Sequence, residues 1–257
     1  MGILNVTPDS FYDGGQNNSI ENALAKCKKH LDEGASIIDI GGYSSRPGAP
    51  DVSIDEELNR TIPVIKEATN QYPECIISID TFRAEVARIA VENGASIIND
   101  ISAGKLDPEM HTTVSELNVP YILMHMQGSP QNMQDNPSYN SISKEVYQEL
   151  ESVVYNLHAL GVNDLIIDPG FGFGKTLEHN FELLDNLNKL QALNLPVLAG
   201  VSRKSMIYKA LKSSAIESIN GTTALNVSCL ENGASILRVH DVKEAIETVK
   251  LWVKTKG

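Results

Sequence analysis

Short apolar runs alternate along the whole chain with longer stretches of helical periodicity. Eight of these runs end on a polar residue that a buried strand would not select for its own stability. Those end residues are Asn5, Asp39, Asp80, Asn99, His125, Asp168, Lys204 and the pair Arg238 and His240. Near-continuous apolar strands that alternate with helices predict a parallel sheet covered by helices. Eight repeats without a Pro-, Gly- or Ser-rich linker predict an α/β fold, a single (β/α)8 TIM barrel over residues 1–257.

The helical stretches support the same architecture. In 140–160 apolar residues recur at steps of three and four, as one face of an α-helix requires. Similar stripes predict helices over 19–33, 54–70, 83–93, 107–118, 178–192, 218–232 and 241–254. A further helix is predicted over 202–215.

The carboxyl ends of the strands of such a barrel meet at one mouth, where the active site lies. Asp80, Asn99, Asp168 and Lys204 would bring two carboxylates, an amide and an ammonium there. A carboxylate accepts parallel N–H bonds from an amino-pyrimidine edge, while an amide or ammonium bonds ring nitrogens or a carbonyl. The set therefore predicts a site for a flat heterocycle. Asp and Asn also commonly cap helices, but capping alone does not account for Lys204 on the same rim.

Asn5, Arg238 and His240 form a second predicted set, because the first and last strands are neighbours in a closed barrel. Arginine offers a bidentate fork for phosphate, and the loop after the last strand is a frequent phosphate site in barrels. Asn5 could add one oxygen to a Mg²⁺ that bridges phosphate oxygens, since Mg²⁺ takes few protein ligands. For His240 the alternative is an ordinary surface or helix-start histidine.

A glycine-rich segment over 170–176 ends in Gly-Lys-Thr, like a phosphate-binding loop. The phosphate-loop pattern needs a glycine where Pro169 stands, and the dinucleotide pattern needs one at Lys175, so neither applies. We interpret the segment as a turn that presents Phe171 or Phe173 to a ligand or packs them. Neither an HExxH motif nor a Ser-His-Asp order occurs, which leaves zinc chemistry and covalent catalysis without support.

Composition narrows the class of partner. The net charge of −12 argues against nucleic acid or an anionic membrane as a partner. The three cysteines, Cys27, Cys75 and Cys229, lie far apart without metal spacing, as is typical of a reduced cytoplasmic protein. Asn5 and Asp9 interrupt any signal peptide, and no apolar stretch approaches the roughly 20 residues of a membrane span. We expect a cytoplasmic protein that acts on small molecules.

Several of these motifs, in this order, resemble the dihydropteroate synthase family. Longer signatures match at 2–11 and at 34–42, continuing at 46–48, and shorter ones at 79–81, 99–101, 123–128, 168–170, 202–205 and 238–240. The resemblance implies condensation of 6-hydroxymethyl-7,8-dihydropterin diphosphate with 4-aminobenzoate, releasing diphosphate, in folate biosynthesis. It also implies Mg²⁺ as cofactor, a homodimer, and a family that is the target of sulfonamides.

The resemblance assigns a role to each site residue by matching motif. The pterin would contact Asp80, Asn99, Met124, Asp168 and Lys204. The diphosphate would contact Asn5, which also binds Mg²⁺, and Arg46, Arg238 and His240. The 4-aminobenzoate would contact Phe11, Ser45, Pro47, Phe173 and Ser205, and Arg46 and Lys204 would also line its pocket. Stabilisation of the leaving diphosphate would involve the catalytic residues Asp9, Arg46, Lys204, Arg238 and His240. Asp39 and His125 receive no substrate, and we expect them to support the loops behind them.

The chain departs from the family pattern at a few positions. Ser45 stands where threonine is usual and Tyr43 where glutamate is frequent, and a segment that normally precedes the first strand does not appear. The alternative function is that of a pterin-binding, methyl-transferring barrel without synthase activity. The pterin set alone would fit either function. Arg238 and His240 favour the synthase, because a methyl carrier has no diphosphate to hold.

Overall fold

The computed structural model describes residues 1–7, 15–44 and 51–256, with the backbone alone for 15–19. Its strands are β1 Gly2–Asn5, β2 Ile37–Gly41, β3 Ile76–Asp80, β4 Ile97–Asp100, β5 Tyr121–Met124, β6 Leu165–Asp168, β7 Leu198–Ala199 and β8 Ile236–Leu237. Its helices are α1 Gly15–Asp32, α2 Ile54–Gln71, α3 Ala84–Glu92, α4 Met110–Leu117, α5 Ile142–Ala159, α6 Leu177–Asp185, α7 Ser205–Leu211, α8 Ile219–Glu231 and α9 Val242–Thr255. A 3₁₀ helix, Leu187–Leu193, follows α6.

The strands close into a parallel barrel. β1 to β6 lie side by side in chain order, and β7 pairs with β8. Two single bridges complete the circle, one joining Ile167 to Val197 and the other joining Gly2 to Val239. A backbone hydrogen bond of 2.9 Å from Ile3 N to Val239 O lies at the second closure. The predicted (β/α)8 barrel is therefore confirmed. Because all strands are parallel, their carboxyl ends lie at the same mouth of the barrel.

Two helix predictions need correction. The stripe over 178–192 is an α-helix only as far as Asp185, after which the chain tightens into the 3₁₀ helix. The helix predicted over 202–215 is limited to Ser205–Leu211, because Lys212 adopts a left-handed backbone, with φ of 54°, that ends it. The other predicted helices are confirmed with boundaries that differ by a few residues.

The strands are buried by helices on the outside and by side chains on the inside. A separate apolar cluster of Met1, Ile37, Ile97, Ile122, Ile166, Leu198 and Ile236 fills the barrel interior. All three cysteines are free thiols. Among the residues described, no helix combines the length and the apolar character needed to cross a bilayer.

Candidate active site

The barrel interior is built in layers, and polar side chains occupy the layers nearest the mouth. Ile37, Ile97, Ile166 and Ile236 come from the even-numbered strands and belong to the interior apolar cluster. Side chains alternate across a strand, so the residue two positions later faces inward again. On the same four strands those later residues are Asp39, Asn99, Asp168 and Arg238. Because barrel interiors consist of layers of four side chains from alternate strands, these four polar residues form one layer above the isoleucines.

The odd-numbered strands supply the next layer outward in the same way. Their inward positions beyond Ile3, Ser78, Ile122 and Leu198 are Asn5, Asp80, Met124 and Gly200. Gly200 keeps this layer open. A Cβ added to it would lie 3.8 Å from the Arg238 Cβ and 3.9 Å from the Lys204 Nζ. The glycine therefore leaves space between two cations at the mouth.

Arg238 joins the two predicted residue sets into one network. Its Nε donates to the Asp39 Oδ2 over 2.7 Å, and its Nη2 donates to the Asp80 Oδ2 over 2.6 Å. The Asn99 Nδ2 donates to the same Asp39 oxygen over 3.0 Å. Asp39 is fully buried, so one carboxylate orients both the amide and the guanidinium. The residues predicted to bind a heterocycle and those predicted to bind phosphate are therefore in direct contact through Arg238.

Burial shifts the protonation of the acids in this network. Burial raises the pKa of Asp80 to about 7, with the nearby Asp39 adding to the rise and Arg238 opposing it. Burial also raises the pKa of Asp168, whose Oδ1 accepts a 2.7 Å hydrogen bond from the Gly170 N–H. Both carboxylates would therefore be stabilised by a ligand that donates N–H bonds to them. Perturbed acids in a concave mouth are typical of a functional site.

Lys204 lies beside the glycine-rich turn rather than at a strand end. It precedes α7 and follows the end of β7 at Ala199 by several residues. Its Nζ donates to the Phe171 carbonyl and lies 4.8 Å from the centre of the Phe173 ring. Burial lowers the pKa of Lys204 to about 8, although Asp168 opposes the shift. The buried Phe171 packs in the core, whereas Phe173 faces the ammonium.

His240 is held as a neutral donor. Its backbone N–H donates to the Ser202 Oγ over 3.1 Å, and the same oxygen lies 3.1 Å from the His240 Nδ1. The serine hydroxyl can therefore donate its proton to Nδ1 in the tautomer that carries the ring proton on Nε2. Burial lowers the pKa of His240 to about 4, and the Arg238 charge adds to this effect. An Nε2–H donor next to Arg238 suits an anionic group.

The remaining predicted residues are placed as follows. Met124 packs in a small apolar cluster at the mouth with Ile101, Met126, Met133, Phe82 and Phe173. Ser205 is the first residue of α7, directly after Lys204, and is half-buried. Asn5 ends β1 and is half-buried. Five predicted site residues lie outside the described residues: Asp9, Phe11, Ser45, Arg46 and Pro47.

Two further strand-end predictions change, those for Asp39 and His125. Asp39 does not end its strand, because β2 continues to Gly41. Instead of supporting a loop, it accepts hydrogen bonds from Asn99 and Arg238, and a carboxylate within an apolar Ile-Ile-Asp-Ile run was the signal for that role. His125 follows β5 and bonds Lys175, whose Nζ is 3.0 Å from its Nδ1. The sequence carried no signal for that pairing.

No group of three or more His, Cys, Asp or Glu side chains within the described ranges is arranged to hold a metal ion. A single oxygen ligand is sufficient for Mg²⁺ when a bound diphosphate and water supply the others. Asn5 fits that requirement, because its side chain lies in the outermost layer of the mouth, on the strand that neighbours Val239.

The glycine turn allows a direct test of backbone geometry. Gly170 has φ of +69°, and an added Cβ would lie 2.0 Å from the His125 carbonyl oxygen. Gly161 has φ of +83° but nothing within 4 Å of such a Cβ. We expect Gly161→Ala to lower the free energy of unfolding by about 1 kcal/mol through backbone strain alone. Gly170→Ala should lower it by about 3 kcal/mol or more, because the clash adds to the strain. Urea unfolding of both variants measures the difference, and equal losses would contradict this packing.

Comparison with known proteins identifies close relatives of this arrangement. A family model described as pterin binding enzyme matches residues 1–240. The dihydropteroate synthase of Escherichia coli K12 is 46% identical over 253 residues, which cover 98% of this chain and 89% of that protein. The dihydropteroate synthase of Haemophilus influenzae is 45% identical over 257 residues, covering 99% and 93%.

Two solved structures of dihydropteroate synthases are similar to this chain in fold and in sequence. The Yersinia pestis dihydropteroate synthase with a sulfonamide drug complex matches with a TM-score of 0.94 at 41% identity, covering 100% of this chain and 93% of that one. The Xanthomonas albilineans enzyme with 4-aminobenzoic acid matches with a TM-score of 0.94 at 41% identity, covering 100% and 92%.

Proposed function

This chain belongs to the family of pterin-binding enzymes, and we propose that it catalyses the dihydropteroate synthase reaction. In that reaction 6-hydroxymethyl-7,8-dihydropterin diphosphate condenses with 4-aminobenzoate, and diphosphate is released. The observation that carries the proposal is the Arg238 network, in which one guanidinium borders both a set of heterocycle-binding groups and a set of anion-binding groups. A substrate that joins a heterocycle to a diphosphate would contact both groups of residues at once.

The polar layers account for pterin recognition. Asp168 and Asp80 are carboxylates whose burial favours a partner with N–H donors. Asn99 is oriented by Asp39 and presents its amide oxygen to a ring N–H. Met124 supplies an apolar wall for the flat ring, in the cluster that also contains Phe173. Lys204 would bond a ring nitrogen or carbonyl.

The leaving group is stabilised by neighbouring cations and donors. Arg238 and the neutral His240 Nε2–H would bind the diphosphate as its charge develops. Asn5 would hold a Mg²⁺, which when bound offsets the charge on the leaving oxygens. Arg46 and Asp9, from the residues outside those described, would complete this group. The pterin delocalises positive charge at its exocyclic methylene, so the C–O bond can break ahead of attack by the amine.

The second substrate would bind on the outer side of the pterin. Phe173 faces Lys204 there, and Ser205 follows directly in the chain. Phe11, Ser45 and Pro47 would complete the pocket. We assign no general base, because an aromatic amine is little protonated near neutral pH and loses its proton only after the C–N bond forms.

A release assay tests the function. Purified protein, pterin diphosphate, Mg²⁺ and 4-aminobenzoate are mixed, and the amounts of diphosphate and dihydropteroate formed are measured. The reaction predicts equal amounts of the two products. We expect both products only when the protein, both substrates and Mg²⁺ are all present, and removal of Mg²⁺ by a chelator should suppress them. Tight pterin binding without release of diphosphate would favour the methyl-transferring alternative and contradict the proposal.

We also propose that the enzyme is a cytoplasmic homodimer. Its three free cysteines are typical of a reducing compartment. Exposed apolar side chains lie on three successive elements, which are α7, α8 and α9 with their connecting turn. They are Leu211 at 57% exposure, Ile216 at 80%, Val227 at 39% and Leu251 at 70%. α7 packs on α8 and α8 on α9, and we infer that these exposed side chains together form an interaction surface, for which a second copy of the chain is the partner that the family resemblance implies.

Charge substitutions test the dimer surface. We expect Ile216→Glu combined with Leu251→Glu to yield monomers, because burying two carboxylates in an apolar interface is unfavourable. Tyr155→Glu is the matched control, since Tyr155 is 74% exposed on α5, away from this patch. Light scattering gives the mass of each variant. A wild type that is monomeric at micromolar concentration, or a double variant that stays dimeric, would refute this interface.

A further inference from the structure

Each of the five backbone carbonyls of the turn 170–174 accepts a hydrogen bond from a side chain that lies outside those five residues. Lys204 binds the carbonyl of Phe171, the Gln134 Nε2 binds that of Gly172 over 2.7 Å, and the Tyr139 Oη binds that of Gly174 over 2.8 Å. The remaining two carbonyls of 170–174, those of Gly170 and Phe173, are bound by the ammonium of Lys175, at 2.8 and 3.0 Å. The shape of the turn is therefore fixed by donors from two other segments of the chain, together with Lys175, which directly follows the turn.

Lys175 is a buried cation whose hydrogen bonds are all made inside the protein. Its side chain is 4% exposed. Besides the two carbonyls, its Nζ lies 3.0 Å from the His125 Nδ1. Burial, with the charges of Lys175 and Lys105 adding to the effect, lowers the pKa of His125 to about 2, so the ring is neutral and can accept. The three ammonium protons thus meet three acceptors within 3.0 Å, and the His125 carbonyl lies farther away at 3.4 Å.

The hydrogen-bond acceptors around Lys175 offset the unfavourable burial of its charge. Burial lowers the pKa of Lys175 to about 7, and Asp168 opposes that shift. The three acceptors at 2.8 to 3.0 Å favour the charged form in addition. A neutral side chain at 175 would leave the Phe173 carbonyl without this donor and the Gly170 carbonyl with only the Phe173 N–H at 3.1 Å, which is unfavourable for groups shielded from water.

The turn holds groups of the candidate site on its other side. The Gly170 N–H donates to the Asp168 Oδ1, and the Phe171 carbonyl accepts from the Lys204 Nζ. The Phe173 ring faces the same Nζ at 4.8 Å. The carbonyls bound by Lys175 belong to Gly170 and Phe173, so the ammonium acts on the two residues that flank the Lys204 contact. Displacement of the turn would move Phe173 and Lys204 together.

We propose that Lys175 is a positioning residue that sets the place of Phe173 and Lys204, and with them the 4-aminobenzoate end of the site. The proposal rests on the proposed function for the identity of that ligand. Lys175 touches no substrate and acts through the turn. The turn also contacts Asp168 and Lys204 of the pterin site. Asp80 and Asn99 hold the inner part of that site and do not contact the turn, so binding of the pterin should weaken less than binding of the second substrate.

Lys175→Met tests the proposal, because it keeps the apolar stem and removes the three N–H groups. We expect the KM for 4-aminobenzoate to rise about tenfold, as the loss of a charge-assisted hydrogen bond would give. The Kd for pterin diphosphate, measured by calorimetry with Mg²⁺, should change less than about threefold because hydrogen bonds from Asp80 and Asn99 remain. Lys105→Met is the matched control. Lys105 is a neighbouring cation that binds Glu149 and the Met126 carbonyl but not the turn. The KM of the Lys105→Met variant for 4-aminobenzoate should therefore stay unchanged.

Hydrogen exchange gives a readout that is independent of catalysis. In the ligand-free Lys175→Met protein, the amides of 170–174 should exchange faster than in the wild type, while those of β3 and β4 exchange at the same rate. Unchanged exchange in the turn would overturn the proposal even if the wild type released no diphosphate. A wild type without product, but with faster exchange in the variant, would contradict the proposed function alone. A parallel loss of both affinities with a large fall in Tm would show a role in stability only and would overturn the proposal.

Two milder variants keep the test decisive if Lys175→Met does not fold. Tyr139→Phe and Gln134→Ala each remove one hydrogen bond to the same turn from a loop on its outer side. Each should raise the KM for 4-aminobenzoate about two- to fivefold with little change in the Kd for pterin diphosphate, since one net hydrogen bond is lost. An unchanged KM in both would show that the shape of the turn does not control this pocket, and the proposal would fall.

Discussion

Replacing Arg238 with alanine is expected to lower kcat by about a hundred- to a thousandfold, because a fixed donor to the developing charge is lost. The affinity for pterin diphosphate should fall much less, since the groups that hold the ring remain in place. Single-turnover kinetics with saturating substrate measures the chemical step, and calorimetry measures the affinity. A variant whose chemical step is unchanged would refute the role of Arg238 in stabilising the leaving group.

The network of Arg238 calls for two control variants. Its guanidinium also pairs with both Asp39 and Asp80, so Arg238→Lys separates charge from geometry. A lysine keeps one positive charge but cannot bridge two carboxylates with a planar fork, and we expect an intermediate kcat. Arg203→Ala removes a nearby arginine that is paired with Asp241 at 2.7 Å. It should reduce stability and leave the chemical step unchanged.

Much of this site could be predicted from the sequence because a barrel interior has a simple period. Asn99 follows Ile97, Asp168 follows Ile166 and Arg238 follows Ile236, each by two residues. A polar residue two positions after an inward isoleucine faces the mouth, whatever the details of the loops. This spacing indicates that the three side chains face the mouth, but it does not indicate which residues they contact.

The contacts themselves could not be predicted, because they depend on the stagger between strands and on loop paths. Asp39 shares a layer with Arg238 although β2 and β8 are distant in the chain, and no local pattern pairs them. Lys204 reaches the mouth from a loop after a strand of only two residues, and its partner is a backbone carbonyl of another turn. Lys175 resembled a phosphate-binding lysine, yet it is buried beneath the turn. Side-chain chemistry at these positions follows from tertiary structure alone.

Asp39 is the residue whose substitution separates orientation from stability most clearly. We expect Asp39→Asn to lower kcat/KM by about tenfold, because the negative charge that strengthens the hydrogen bonds from Arg238 and Asn99 is lost, while the amide oxygen can still accept both. The amide has the same shape, so the cavity is unchanged. The carboxylate is fully buried, and within the described residues its Oδ1 has no hydrogen-bond partner. Its neutralisation therefore removes a desolvation penalty that offsets part of the lost pairing.

The free energy of unfolding should consequently change by less than about 2 kcal/mol while activity falls strongly. Ser78→Ala is the matched control, since Ser78 is the register partner of Asp39 on β3 and is equally buried. Its hydroxyl also forms no hydrogen bond to any residue that the structure describes. We expect its kcat/KM to stay within about twofold of the wild type because no hydrogen bond to the site is removed. Equal losses of activity in the two variants would mean that disturbance of the barrel interior, and not the orientation of Arg238 and Asn99, controls the reaction.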